Sequence, residues 1–122
     1  MDPVAPEARM AGHELSPPPR PDACELCGRA APLTKHHLIP RSLHGKARYR
    51  RRFERAERLT AILWVCHPCH RHLHAVLSER ELADHYRSRE ALLGHPEIRA
   101  FVDWLATKPA GFKPKRPRRR RR

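Results

Sequence analysis

Thr60-Ala61-Ile62-Leu63-Trp64-Val65, followed at once by Cys66-His67-Pro68-Cys69-His70-Arg71-His72-Leu73-His74, changes character halfway along. The first six residues form a short apolar run, and a bounded run of that length fits a buried strand. Pro68 then suits the first turn of a helix, where its missing N–H is not needed, and the helix is expected to run to about Leu77. His70 and His74 lie four residues apart and share one face of it, while His72 points elsewhere. A strand running into a helix, with two cysteines at the junction and two histidines on one face, sets the expectations for the rest of the chain.

The junction cysteines have counterparts upstream. Cys24-x-x-Cys27 and Cys66-x-x-Cys69 are separated by 38 residues, and two such turns can supply four thiolates to a closed tetrahedral zinc site. Gly28 follows the first pair and Pro68 sits inside the second, both suited to tight metal-gripping turns. The alternatives are four reduced cysteines buried as small hydrophobes, or a redox pair of the thioredoxin kind. No βαβ pattern surrounds either pair, which counts against the latter. With all four sulfurs on zinc, any chemistry falls to the histidines, of which the chain has 10.

Between the pairs stands His36-His37, within a segment from Thr34 to Pro40 that is too short for a helix and reads as a strand. Strand neighbours face opposite sides, so the two imidazoles cannot do the same job. If His36 closes a three-histidine site with His70 and His74, the cation keeps open positions, the mark of a catalytic rather than a structural metal. His37 is then a candidate general base, because an imidazole accepts a proton near neutral pH. The other reading is surface histidines in a histidine-rich chain.

Composition bounds the remainder. The 122 residues carry 26 Lys+Arg against 13 Asp+Glu, a net charge of +13, which allows one small basic domain and excludes a two-domain enzyme. Residues 1–22 hold six prolines and almost no large apolar side chain, and residues 108–122 hold nine Lys/Arg and no acid, ending in Arg118 to Arg122. Both ends are expected to be disordered, leaving residues 23–107 as the folded part. That part barely exceeds the size below which domains need a staple, which zinc would supply. Ser78 precedes Glu81 by three residues, a capping-box pattern opening a helix through Leu82, Tyr86 and as far as Leu93. Another helix begins near Pro96 with Ile98, Phe101, Val102 and Leu105 inward. Phe53 and Leu59 mark a short helical turn. Trp64, Phe101 and Trp104 are expected in the core. No window is apolar enough to span a membrane and no secretory signal opens the chain, so a soluble, cytoplasmic location is expected.

Taken together, Cys24-Glu25-Leu26-Cys27, His36-His37-Leu38-Ile39-Pro40 and Cys66-His67-Pro68-Cys69-His70 with His74 resemble the HNH endonucleases, in order and spacing, over about residues 23–107. Among these the chain is most similar to small bacterial stand-alone members. The resemblance implies an α+β fold of the ββα-metal (His-Me finger) type, zinc-stapled, with additional C-terminal helices. It implies structural zinc on Cys24, Cys27, Cys66 and Cys69, a catalytic divalent ion (magnesium, manganese, nickel or zinc) on His36, His70 and His74, and His37 as general base for hydrolysis of DNA. The family's asparagine has no counterpart, since the chain contains none. By spacing from Cys66 its place falls within Thr60, Ala61 and Ile62, and a backbone carbonyl can hold the His37 ring instead.

A nuclease of this kind needs cations for the phosphate backbone, and the arginine fork suits phosphate. Arg41 and Arg71 are candidates near the scissile group. Lys46, Arg48, Arg50, Arg51 and Arg52 belong to a thirteen-residue stretch, 46–58, with only Glu54 and Glu57 against seven cations, and are read as a DNA-facing surface. The expected partner is duplex DNA with weak sequence preference, which places the protein at the nucleoid. The alternative is a zinc-stabilised nucleic-acid-binding module with little or no cleavage.

Overall fold

The computed structural model describes residues 16–115 and is α+β. In chain order the elements are β1 (Leu33–His37), a 3-10 turn (Arg41–Leu43), α1 (Ala47–Arg52), α2 (Arg55–Thr60), β2 (Ile62–Cys66), α3 (His67–Val76), α4 (Glu79–His85), α5 (Arg89–Leu93) and α6 (Pro96–Ala106). The strands form a two-stranded antiparallel sheet in which His36 pairs with Leu63 and His37 with Ile62.

All five residues of β2 are buried, as an apolar run covered on both faces requires. The strand starts at Ile62 because Thr60 belongs to α2, where its hydroxyl donates to the Ala56 carbonyl at 2.7 Å. β1 stops at His37, short of the expected Pro40. Beyond it Ile39 and Pro40 bend into a second small core with Leu43, Tyr49, Phe53 and Ala83, where Ile39 is buried. The helical turn expected around Phe53 is two short helices, and Tyr49 and Phe53 anchor the basic stretch to that second core.

α3 begins one residue before Pro68 and ends at Val76. Ser78 caps α4 as a capping box, its hydroxyl accepting from Glu81 N–H while the Glu81 carboxylate accepts from Ser78 N–H. The expected continuation to Leu93 is broken at Tyr86, and Ser88 caps the separate α5 by accepting from Ala91 N–H at 3.0 Å. α6 lies across α3 and α5. Its buried Ile98, Val102 and Leu105 join Leu73, Val76, Leu82 and Leu92 in the main core. Each such side chain contributes roughly 1.5–3 kcal/mol of burial. Trp104 departs from expectation: it is 43% exposed, on the outer side of α6 beside Phe101 and Phe112.

Residues 16–22 have no helix or strand, and Pro18 accepts a 2.9 Å hydrogen bond from the Trp64 indole. Residues 109–112 return to the core, held by Arg29. The remainder of the two expected disordered ends, residues 1–15 and 116–122, lies outside the described residues. Among the described residues no helix is long and apolar enough to cross a membrane.

Candidate metal centres

The first Cys-x-x-Cys turn is clamped against β2. Glu25 N–H donates to the Trp64 carbonyl and Trp64 N–H to the Glu25 carboxylate, both at 2.9 Å. Gly28 closes the turn at φ 80°, with its N–H on the Cys24 carbonyl. Space is open around it, so backbone conformation rather than crowding favours glycine there. The second pair straddles the β2–α3 junction, and antiparallel pairing carries the two turns together.

All four cysteines are buried, and their sulfurs lie within 4.8 Å of one another. Cys27 Sγ and Cys66 Sγ are 3.7 Å apart. A tetrahedral zinc–sulfur bond of about 2.3 Å implies an S···S edge of roughly 3.8 Å, so the donors fit the ion. Cys24 Sγ accepts from the N–H groups of Leu26, Cys27 and Cys66 at 3.3–3.4 Å. Hydrogen bonds from Cys66 and Cys69 hold the Cys24 thiol far below its ordinary range, while the bond with Cys24 pushes Cys66 up to about 11. As bare thiols the four compete for one negative charge; a divalent cation replaces the protons and removes the competition.

Arg29, which the sequence reading passed over, completes this centre. It is 6% exposed. Nε faces Cys27 Sγ at 3.5 Å and Nη2 faces Cys66 Sγ at 3.7 Å. Four thiolates on one zinc carry a net charge of −2, and Arg29 supplies a buried counter-charge. Its only sequence signal is its place directly after Gly28.

The second cluster joins β1 to α3. The His36 ring centroid is 5.4 Å from that of His70 and 5.6 Å from that of His74, and His70 and His74 are 5.1 Å apart. One nitrogen from each lies within 4.8 Å of the others. His36 is fully buried, and among the described residues neither of its ring nitrogens has a hydrogen-bond partner. Burying such a group unpaired is costly, and a cation held by three imidazoles relieves that cost. Burial first, then the neighbouring histidines, lowers His36 to about 3 and His70 to about 4, leaving their lone pairs available at neutral pH.

Thr34 fixes which nitrogen His70 presents. Its hydroxyl donates to the Val65 carbonyl at 2.9 Å, and the same oxygen is 2.8 Å from His70 Nδ1. A hydroxyl has one proton, already directed at a carbonyl, so Nδ1 must donate and Nε2 keeps the ligand lone pair. His72 takes no part and stacks on Phe101, with ring centroids 4.0 Å apart.

His37, the next residue on β1, is half-buried, with the His44 ring 6.2 Å away. Burial, followed by Arg41, His44 and Lys35, lowers its pKa. His36 is buried and His37 half-buried along the strand, and the charge of His37 still reaches His36 and His70. Arg71 is half-buried and lines a cavity with Arg29 and His67.

The basic stretch divides in two. Arg48 and Arg52 both pair with Asp84 of α4, at 3.3 and 2.8 Å, and lie over the rings of Tyr49 and Phe53. Arg41, Lys46, Arg50 and Arg51 are exposed, and among the described residues no ion pair engages them.

No family model matches the chain, and no solved structure does. The uncharacterized protein YisB of Bacillus subtilis (strain 168) is 33% identical over 87 residues, covering 70% of this chain and 75% of YisB. At that identity and coverage, the chain belongs to the same family as YisB.

Proposed function

We propose that the chain is a metal-dependent endonuclease of the HNH type, built on a ββα-metal scaffold, that hydrolyses DNA phosphodiester bonds. The observation carrying this reading is the three-imidazole cluster, in which the nitrogens of His36 are unpartnered among the described residues, with His37 next to His36 on the same strand. A divalent ion held by His36, His70 and His74 would supply positive charge for the departing 3′ oxygen. His37, kept neutral by burial and by the charge of Arg41, takes a proton from water, whose oxygen attacks phosphorus as the bond to the 3′ oxygen breaks. The departing 3′ oxygen takes a proton from solvent water, so the products carry 3′-hydroxyl and 5′-phosphate ends. His44 lies beside His37, and its Nε2 donates to the Ile39 carbonyl at 2.6 Å, which leaves Nδ1 as the acceptor of the neutral ring. Exposed Arg41, Lys46, Arg50 and Arg51 suit the phosphate backbone.

One observation favours a second reading, a zinc-stabilised nucleic-acid-binding module without turnover. Thr60, the only polar side chain in the place of the family's asparagine, points its hydroxyl back at Ala56 within α2. A plasmid-nicking assay with magnesium, manganese, nickel or EDTA, run beside His37→Ala with zinc quantified in both, separates the two. Metal-dependent nicking that His37→Ala loses, with zinc and DNA binding retained, is the expected result. DNA bound but uncut in every metal would leave the binding module. Equal nicking by both proteins would overturn the role of His37.

A further inference from the structure

Beside the first turn of α3 lies a cavity of about 580 Å³, within the range of small-ligand sites. Its lining includes His67, Pro68 and Arg71 of α3, Phe112 and Lys113 of the C-terminal segment, and Arg29. Among the described residues no acidic side chain lines it. The donors of Arg29 are already engaged by the sulfurs and by the carbonyls of Pro109 and Phe112, so Arg29 builds the wall and leaves recognition to others.

Arg71 is different. Among the described residues its buried Nε has no hydrogen-bond partner and no carboxylate pairs with the side chain. With no carboxylate to neutralise it, the guanidinium that Arg71 brings to the cavity lining is left for an anionic group, which its planar fork can hold. Lys113 adds a second cation to the lining, while Pro68 and Phe112 give apolar surface. An occupant with one anionic group and a flat apolar part matches these walls. Arg71 also follows His70 directly, about 100° around the same helix, so α3 presents the cavity and the three-histidine cluster on adjoining faces.

We propose that this cavity seats one nucleotide of a DNA strand, its phosphate on Arg71 and Lys113 and its sugar and base over Pro68 and Phe112. The proposal rests on the DNA-binding part of the reading above and is independent of cleavage. The test is the salt dependence of binding of a short fluorescein-labelled DNA duplex to the intact zinc-loaded protein and to Arg71→Gln, Phe112→Ala and, as a control on α6, Arg99→Gln. Zinc content and melting temperature report folding.

Arg71→Gln is expected to weaken binding about tenfold and to lower the slope of log affinity against log salt by about 1, the signature of one lost phosphate contact. Phe112→Ala should weaken binding with the slope retained, and Arg99→Gln should match wild type. Wild-type affinity and slope in folded Arg71→Gln would overturn the proposal, as would failure of the intact protein to bind the duplex. Nicking by wild type with an unchanged Arg71→Gln slope removes the cavity and leaves the nuclease. A lowered slope without nicking in any metal leaves the cavity and removes the nuclease.

Discussion

Arg29 donates to the Pro109 carbonyl at 2.7 Å while its Nε stands 3.5 Å from Cys27 Sγ. One buried guanidinium therefore joins the four-sulfur centre to the start of the C-terminal segment. Replacing it should loosen both. Arg29→Met is expected to cost on the order of 3 kcal/mol, since it strands buried acceptors and removes the counter-charge, and to speed tryptic cleavage after Lys115, the bond after Lys113 being closed to trypsin by Pro114. Arg29→Lys should recover little, because an ammonium cannot span sulfurs and carbonyls as the planar fork does. Melting and cleavage kinetics equal to wild type in Arg29→Met would refute the coupling.

Thr34 bears on the histidine cluster alone. With Thr34→Val, His70 loses the acceptor that holds its proton on Nδ1, and the cation affinity of the His36–His70–His74 site should fall about 10- to 100-fold. Zinc on the cysteines should stay stoichiometric, because Thr34 donates to Val65 and touches no sulfur. Nickel titration monitored by the imidazole–metal absorption, with cysteine-bound zinc quantified in parallel, measures both. An unchanged nickel affinity would show that His70 does not need this orientation.

What the sequence made legible was what depends on short spacing. Pairs three or four residues apart placed Cys66 with Cys69 and His70 with His74. The Ser78–Glu81 capping box was equally readable, because both partners lie within one turn. Contacts across long separations were not. Arg29 meets Pro109 eighty residues away, and Thr34 reaches His70 only because β1 pairs with β2 in the observed register. Trp104 was misplaced for a related reason: the apolar stripe of α6 is wider than the face that α3 and α5 cover, so its edge stays open. Neither Tyr86 nor Arg87 forbids a helix by itself, and Ser88 capping α5 is what divides the expected long helix.

The cysteine centre should carry the stability of the whole domain. Four buried sulfurs sit in one core with Leu63, Val65, Leu73 and Val76, so unliganded thiolates there would repel one another out of water. Exhaustive chelation, or Cys69→Ser, is expected to abolish the cooperative thermal transition and most of the far-ultraviolet helix signal. Restoring zinc should reverse the effect of chelation but not that of Cys69→Ser. A chelated protein that melts cooperatively at the wild-type temperature, with zinc absent by elemental analysis, would show that apolar packing suffices.

Asp84 sets how much of the basic stretch is free for an anion. Its carboxylate accepts from the Tyr49 hydroxyl at 3.1 Å and pairs with Arg48 and Arg52. Burial opposes the charge, but the Tyr49 hydroxyl and the two guanidiniums prevail and hold its pKa below the usual carboxylate range. The sign follows: because the folded pKa is depressed, the group stabilises the fold above its unfolded pKa, and that contribution fades as pH falls through the folded value. Asp84→Asn should therefore be less stable than wild type at neutral pH and approach it on acidification. If the stretch faces DNA, the same substitution releases Arg48 and Arg52, so affinity for duplex DNA should rise and the salt slope should steepen by about 1 to 2. Urea denaturation across the acid range and salt-dependent DNA binding measure the two effects separately. Lower stability at neutral pH with DNA affinity unchanged would place Arg48 and Arg52 in the fold and outside the DNA-binding surface.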